Sequence, residues 1–227
     1  MASRKEQKEA LRAERERKAQ EAADAEKRRR MVGFGAAGVL VAAVVVAIVV
    51  VIASSGGGSG EQAVEPGGDF AKASIPARKA SNLEAAAKAA KCQIRQFPSE
   101  GRTHVDGTVQ YKTEPPTSGN HYIVPAEDGA YTEAPPMETL VHELEHGRVI
   151  LWYKPNASPQ LKGQLKALFD EDTYHMVLTP DTRTLPVPVA ASVWTRSITC
   201  PKVTPQTWDA LRLFRDTYRD QGPEQVQ

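Results

Sequence analysis

The sequence predicts an α+β protein: a single N-terminal transmembrane helix, then a compact domain with several helices and a small mixed or antiparallel sheet. Three observations carry this reading. Residues 31–53 form an uncharged apolar run. Beyond it, capped helical patterns and short β-rich runs mix without a regular βαβ repeat. Two cysteines, Cys92 and Cys200, both fall in the later part.

The formal net charge of +1 averages unlike regions. Residues 1–30 hold 11 Lys/Arg against 7 Asp/Glu, and the chain beyond residue 53 holds 18 basic against 21 acidic residues. A mildly acidic main domain argues against nucleic-acid binding, which needs a basic surface to neutralise phosphates. The tail at 1–30 is rich in helix formers and in opposite charges at i,i+4 spacing, a solvated helix that also meets anionic headgroups.

The run from Met31 to Ala53 (MVGFGAAGVLVAAVVVAIVVVIA) is long enough to cross a bilayer. A helix of that length spans about 34 Å, against a hydrocarbon core of about 30 Å. Its Val and Gly content suits water poorly, but in lipid the backbone has no other way to satisfy its hydrogen bonds. A cleavable signal peptide, with Ala53, Ser54 and Ser55 as cleavage site, is the competing reading. Lys27, Arg28, Arg29 and Arg30 abut the run on one side, and no Lys or Arg follows until Lys72. Positive residues stay inside, so the N-terminus is expected in the cytoplasm and the main domain outside it. The lipid bilayer is then the first partner, and envelope proteins or a larger membrane complex are further candidates.

Residues 54–69 (SSGGGSGEQAVEPGGD) are expected to be a flexible linker, with a typical end-to-end distance of about 20–24 Å. The extracytoplasmic domain is placed at 70–221, with 222–227 as a C-terminal tail. Outside the cytoplasm an even cysteine count fits one Cys92–Cys200 disulfide; two free thiols or an intermolecular bond are the alternatives.

Within the domain the elements follow in order. Ser81 to Lys91 is Ala-rich and begins with a capping residue, so it is helical. Gln93 to Phe97 is a short strand ended by Pro98. Arg102 to Val109 alternates and contains Asp106-Gly107, a hairpin or strand-turn signal. Glu114 to Asn120 (EPPTSGN) is an irregular loop fixed by its prolines and Gly119. Met137 to His146 is a helix stopped by Gly147. Val149 to Tyr153 (VILWY) is a buried strand. Ser158 to Asp170 is a helix with a Ser cap and Pro159 at its first position. Tyr174 to Leu178 is a strand ended by Pro180, Val187 to Thr199 carries a further β segment, and Thr204 to Asp220 is the last helix, capped by Thr204.

Chemistry concentrates on the helix before VILWY. Its sequence HELEH puts His142 and His146 about 40° apart on one face, with Glu138 and Glu145 beside them. Neutral imidazoles at this spacing can chelate a divalent cation, and neighbouring carboxylates can ligate it or orient the rings. Two catalytic zinc patterns fit at once: H-E-x-x-H with Glu143 as base, and H-x-x-E-H with Glu145 as base. Either would make a zinc hydrolase, but the helix stops at Gly147 and no further histidine follows at metzincin spacing. No catalytic residue is assigned. His104, and His121 behind the loop PPTSGN, are further candidates for the same site, whereas His175 beside Met176 reads as packed. The bland alternative is that all these histidines only bond to backbone and carboxylates.

PPTSGNHY at 115–122, Gly129, Tyr131, VHELEHGRVILWY at 141–153 and Trp194 together resemble the bacterial family "domain of unknown function 3105", over roughly residues 90–220. The resemblance implies a single N-terminal membrane segment and an extracytoplasmic domain, and brings no activity with it. Its pattern V-H-x-L-E-H-G leaves the position of Glu143 free and fixes that of Glu145. It also carries a histidine at His104. Its loop reads S-G-P-H, where this chain has Asn120. The expected site is therefore His104, His121, His142 and His146 with Glu145, holding copper or zinc, both suited to imidazole. The function expected is metal handling or an accessory role at the membrane; the alternatives are a zinc hydrolase and a non-catalytic subunit of a membrane complex.

Overall fold

The computed structural model describes residues 64–224. The apolar run at 31–53 and the basic tail before it lie outside the described residues. Among those described, no helix is long and apolar enough to cross a membrane.

Four helices and six strands make an α+β domain. In chain order they are α1 (Leu83–Ala90), β1 (Gln93–Gln96), β2 (Gly129–Ala130), α2 (Met137–Glu145), β3 (Val149–Tyr153), α3 (Pro159–Asp170), β4 (Met176–Pro180), β5 (Val189–Val193), β6 (Arg196–Cys200) and α4 (Pro205–Tyr218). The strands form one sheet in the order β1-β6-β5-β3-β4-β2. β4 pairs parallel with both β3 and β2, whereas β3–β5, β5–β6 and β6–β1 are antiparallel, so the sheet is mixed.

All five residues of VILWY are buried because the sheet is covered on both faces. Side chains alternate across a strand. Val149, Leu151 and Tyr153 point into a core shared with Ala86 and Ala90 of α1, Leu165 and Phe169 of α3, and Trp208 and Phe214 of α4. Ile150 and Trp152 point the other way, onto Leu140 and Leu144 of α2, Tyr111, Tyr131 and Trp194. Two polar tips inside these cores find partners: Trp152 Nε1 donates to Ser192 Oγ at 2.8 Å, and Tyr153 donates to the Tyr131 carbonyl at 2.7 Å.

The helix boundaries follow the caps. Asn82 caps α1 by accepting from Ala85 N, Ser158 caps α3 by accepting from Leu161 N, and Thr204 with Thr207 forms a capping box on α4. Cys92 and Cys200 are joined in a disulfide that ties the entrance of β1 to the end of β6.

Four stretches differ from the sequence expectation. The strand expected at Tyr174 to Leu178 starts at Met176 and includes Pro180, which pairs with Tyr153 at the end of the ladder. Arg102 to Val109 makes no hairpin; His104 bridges to His121 instead. The β segment at 187–199 is two strands, β5 and β6, folded back on each other at Trp194–Thr195. The short strand β2 had no counterpart. At the borders, Gly67 bridges to Tyr131 and Glu224 N donates to the Glu145 carbonyl at 3.2 Å, so residues read as linker and tail already lie against the domain.

Candidate metal centre

The centre is built on α2. Its start is set by Pro136, whose carbonyl accepts from Thr139 N, Leu140 N and the Thr139 hydroxyl. Its end is set by Gly147 at φ +84. There Gly147 N donates to Leu144 O and Arg148 N to Glu143 O, the paired bonds of a Schellman stop. Leu140, Val141 and Leu144 bury the helix on the sheet, which leaves His142, Glu145 and His146 on the other side.

The partner segment is the loop that ends at His121, and it is braced at every turn. Thr103 N donates to Asn120 Oδ1 at 3.1 Å, Glu100 N to Ser118 Oγ at 3.0 Å, and the Tyr111 hydroxyl to the Asn120 carbonyl at 2.7 Å. A side chain at Gly119 would meet the Tyr111 ring at 2.7 Å, so only glycine fits under that tyrosine. Asn120 thus ties the loop at both ends of its residue, by side chain to Thr103 and by carbonyl to Tyr111. The bridge between His104 and His121, with Val105 N on His121 O at 2.8 Å, delivers both rings to α2.

Four imidazoles meet there. Ring centroids are 4.6 Å apart for His121–His142, 5.0 Å for His104–His142, 5.1 Å for His104–His121 and 4.4 Å for His142–His146. One ligand atom each of His104, His121, His142 and Glu145 lie within 4.8 Å of one another. His142, His146 and Glu224 form a second such group. Four of the five expected residues therefore share one cluster, and His146 joins it through His142.

Hydrogen bonding fixes the character of the inner group. His121 Nδ1 lies 2.8 Å from the Gly119 carbonyl, which can only accept, so Nδ1 carries a proton and Nε2 is the ring nitrogen turned to Glu145. That Nε2 stands 3.0 Å from Glu145 Oε2, without hydrogen-bond geometry. A buried ring nitrogen and a buried carboxylate oxygen face each other, and a proton or a cation must lie between them. Ligands about 2.0–2.2 Å from one divalent cation stand about 2.8–3.6 Å apart at angles from about 90° to tetrahedral, so the spacing fits a shared ion. Nδ1 of His142 is likewise buried without a partner. Burial, then the neighbouring rings of His146 and His121, pushes the His142 pKa down to about 4, against a bond to the Tyr122 carbonyl. Burial and then Arg148 also lower that of His146. Both rings are thus neutral at physiological pH, the form that binds metals.

The two glutamates of HELEH part company. Glu145 stands among the histidines. Glu143 lies against Arg148, with Oε2 3.1 Å from Nε, and burial raises its pKa with Asp128 adding to the push against Arg148. Glu138 accepts from Val109 N at 2.8 Å and braces the strand-like segment before Tyr111. His175 pairs with Asp220 at 2.6 Å and joins neither group. Glu224 was not expected: a glutamate in a polar tail carries no pattern, and only the docking of that tail on Gly147 brings it to His146.

The family model described as "Protein of unknown function (DUF3105)" matches residues 104–227, more than half of the chain. The chain belongs to the DUF3105 family. The match begins at His104 and takes in every member of both groups. No curated protein and no solved structure matches the chain. What the DUF3105 domain can do chemically therefore rests on its own residues: His104, His121 and His142 with Glu145 could hold a divalent cation by donor type, spacing and orphaned ring nitrogens.

Proposed function

We propose that this DUF3105 protein is a membrane-anchored, extracytoplasmic metal-binding protein that holds copper or zinc through His104, His121, His142 and Glu145 and serves an accessory, metal-handling role. The facing pair inside the histidine cluster carries the reading: His121 Nε2 and Glu145 Oε2 at 3.0 Å, both nearly without solvent. Such a pair is costly unless a proton or a cation joins it, and a metal ion would also engage the neighbouring imidazoles, a donor set suited to copper and zinc. Anchoring is supported by the uncharged run at 31–53 and the basic cluster before it, and an extracytoplasmic domain by the Cys92–Cys200 disulfide. A zinc hydrolase would need Glu145 free to act as a base on water, whereas here it is paired with His121 as a co-ligand would be; Glu143, the other candidate base, faces Arg148.

Calorimetric titration of the full chain in detergent with Cu(II) and with Zn(II) tests the proposal. One tight equivalent is expected, with affinity reduced more than a hundredfold in His121→Ala and His142→Ala, beyond the 10–100-fold effect of losing an outer support. Absence of binding by either ion at low micromolar concentration, or unaltered binding in both variants, overturns it.

A further inference from the structure

The second group extends the site outward. His142 belongs to both groups, its ring 4.4 Å from that of His146. The side chains of His121 and Glu145 are 0% and 4% exposed, those of His146 and Glu224 10% and 51%. His104 is the exposed member of the inner group; on the other side, exposure falls from Glu224 through His146 and His142 to the buried His121–Glu145 pair. His146 Nε2 and Glu224 Oε2 stand 4.0 Å apart, close enough to close on one ion.

Glu224 is held there by backbone. Its N–H donates to the Glu145 carbonyl at 3.2 Å, and Asp220 N donates to the Gly147 carbonyl at 2.8 Å. A side chain at Gly222 would meet the Glu145 carbonyl at 2.1 Å, so this close seat on the end of α2 needs glycine. The C-terminal segment is thus docked on the residue whose carboxylate closes the inner group, with its own carboxylate turned to the outer histidine.

We infer that His146 and Glu224 form an outer half-site through which a divalent cation enters and leaves the centre, in preference to the side that His104 covers, with His142 exchanged between the two. The inference rests on the metal reading above. A buried centre whose ligands must all let go at once exchanges slowly; a weaker neighbouring site that shares one ligand lets the ion pass stepwise, as between adjacent sites in a pore. The exposed carboxylate also draws cations towards the entrance.

Rates test it. The full chain in detergent is loaded with Zn(II), and stopped-flow records loading and then release to excess chromogenic chelator, for wild type, Glu224→Gln and Glu224→Asp. Slowing of both loading and release by tenfold or more in Glu224→Gln, with Glu224→Asp closer to wild type, is the expected result. Loss of an ordinary ligand has the opposite sign on release, which becomes faster. Faster or unchanged release in Glu224→Gln therefore overturns the half-site while leaving the buried centre standing. A wild-type protein that takes up no Zn(II) or Cu(II) overturns both.

Discussion

Within HELEH two glutamates stand two positions apart and meet different neighbours. Helical phase puts His142 and His146 together, and this was legible from the sequence. Phase alone did not separate Glu143 from Glu145, because the pentapeptide satisfies both zinc patterns; Arg148, just past the helix stop, pairs with Glu143 and is itself held by Asp128 from a distant segment. The difference is measurable. Glu143→Gln copies the shape and neutrality of a protonated carboxyl and leaves Zn(II) affinity within about threefold of wild type by titration. Glu145→Gln removes an anion from the cluster and lowers that affinity by at least the 10–100-fold typical of weakened metal sites. Equal effects would return Glu143 to the centre. His104 and His121 came from the proline-rich loop and the family pattern, since their bridge joins segments that nothing local pairs. Glu224 had no signal at all.

Helices were legible at the element scale because their ends are written in caps: Ser158 with Pro159, Thr204 with Pro205, Gly147 after His146. Strands were less so, for reasons visible in each case. Asp106-Gly107 favours a turn, but a hairpin needs a second strand beside it, and the partner of His104 is distant His121. The β5–β6 turn passes through Thr195 at φ +61, a conformation rare for a β-branched residue, so no Gly or Asn marked it. β2 is two residues long and has no period to detect. The stop of α2 makes a prediction of its own. A Cβ at Gly147 would meet Asp220 Cα at 2.8 Å and Gly222 N at 3.0 Å, at a positive φ. Gly147→Ala should cost about 1–3 kcal/mol in urea unfolding. It should also speed hydrogen exchange at Asp220 and Glu224, whose N–H groups bond to the end of α2. Unchanged exchange there would mean the segment is held by other contacts.

For the molecule as a whole, the α+β class followed from the mixture of patterns, but the strand order could not, since pairing of β1 with β6 or β3 with β5 joins segments far apart in sequence. The packing of the N-terminal segment on α4 depends on one carboxylate. Asp209 accepts from Lys79 N at 3.0 Å and Ala80 N at 2.9 Å, and pairs with Arg212 at 3.0 Å. Burial opposes its ionisation, but these donors win and hold its pKa below the usual carboxylate value. A depressed folded pKa contributes stability that is present above the unfolded value near pH 3.9 and lost as pH falls through the folded one. Asp209→Asn should therefore cost about 1–3 kcal/mol at pH 7. The gap from wild type should narrow at lower pH, as read from urea midpoints at pH 7 and pH 3; a gap constant with pH would sink the assignment. Replacing both cysteines by serine removes a closed loop of residue separation 108 and should cost up to about 4.7 kcal/mol by the chain-entropy argument.

That bridge also sits at a border of the sheet. Cys92 leads into β1, the outermost strand, and Cys200 ends β6 behind it. β1 is short and mostly polar on its exposed sides, a poor template for another chain, whereas β6 is largely buried. Cutting the bridge lets β1 fray and turns β6 into the edge, with a row of unpaired backbone groups beside apolar side chains. The disulfide is thus a guard against edge-to-edge aggregation: the reduced protein should grow into oligomers by light scattering at concentrations where the oxidised one stays monodisperse.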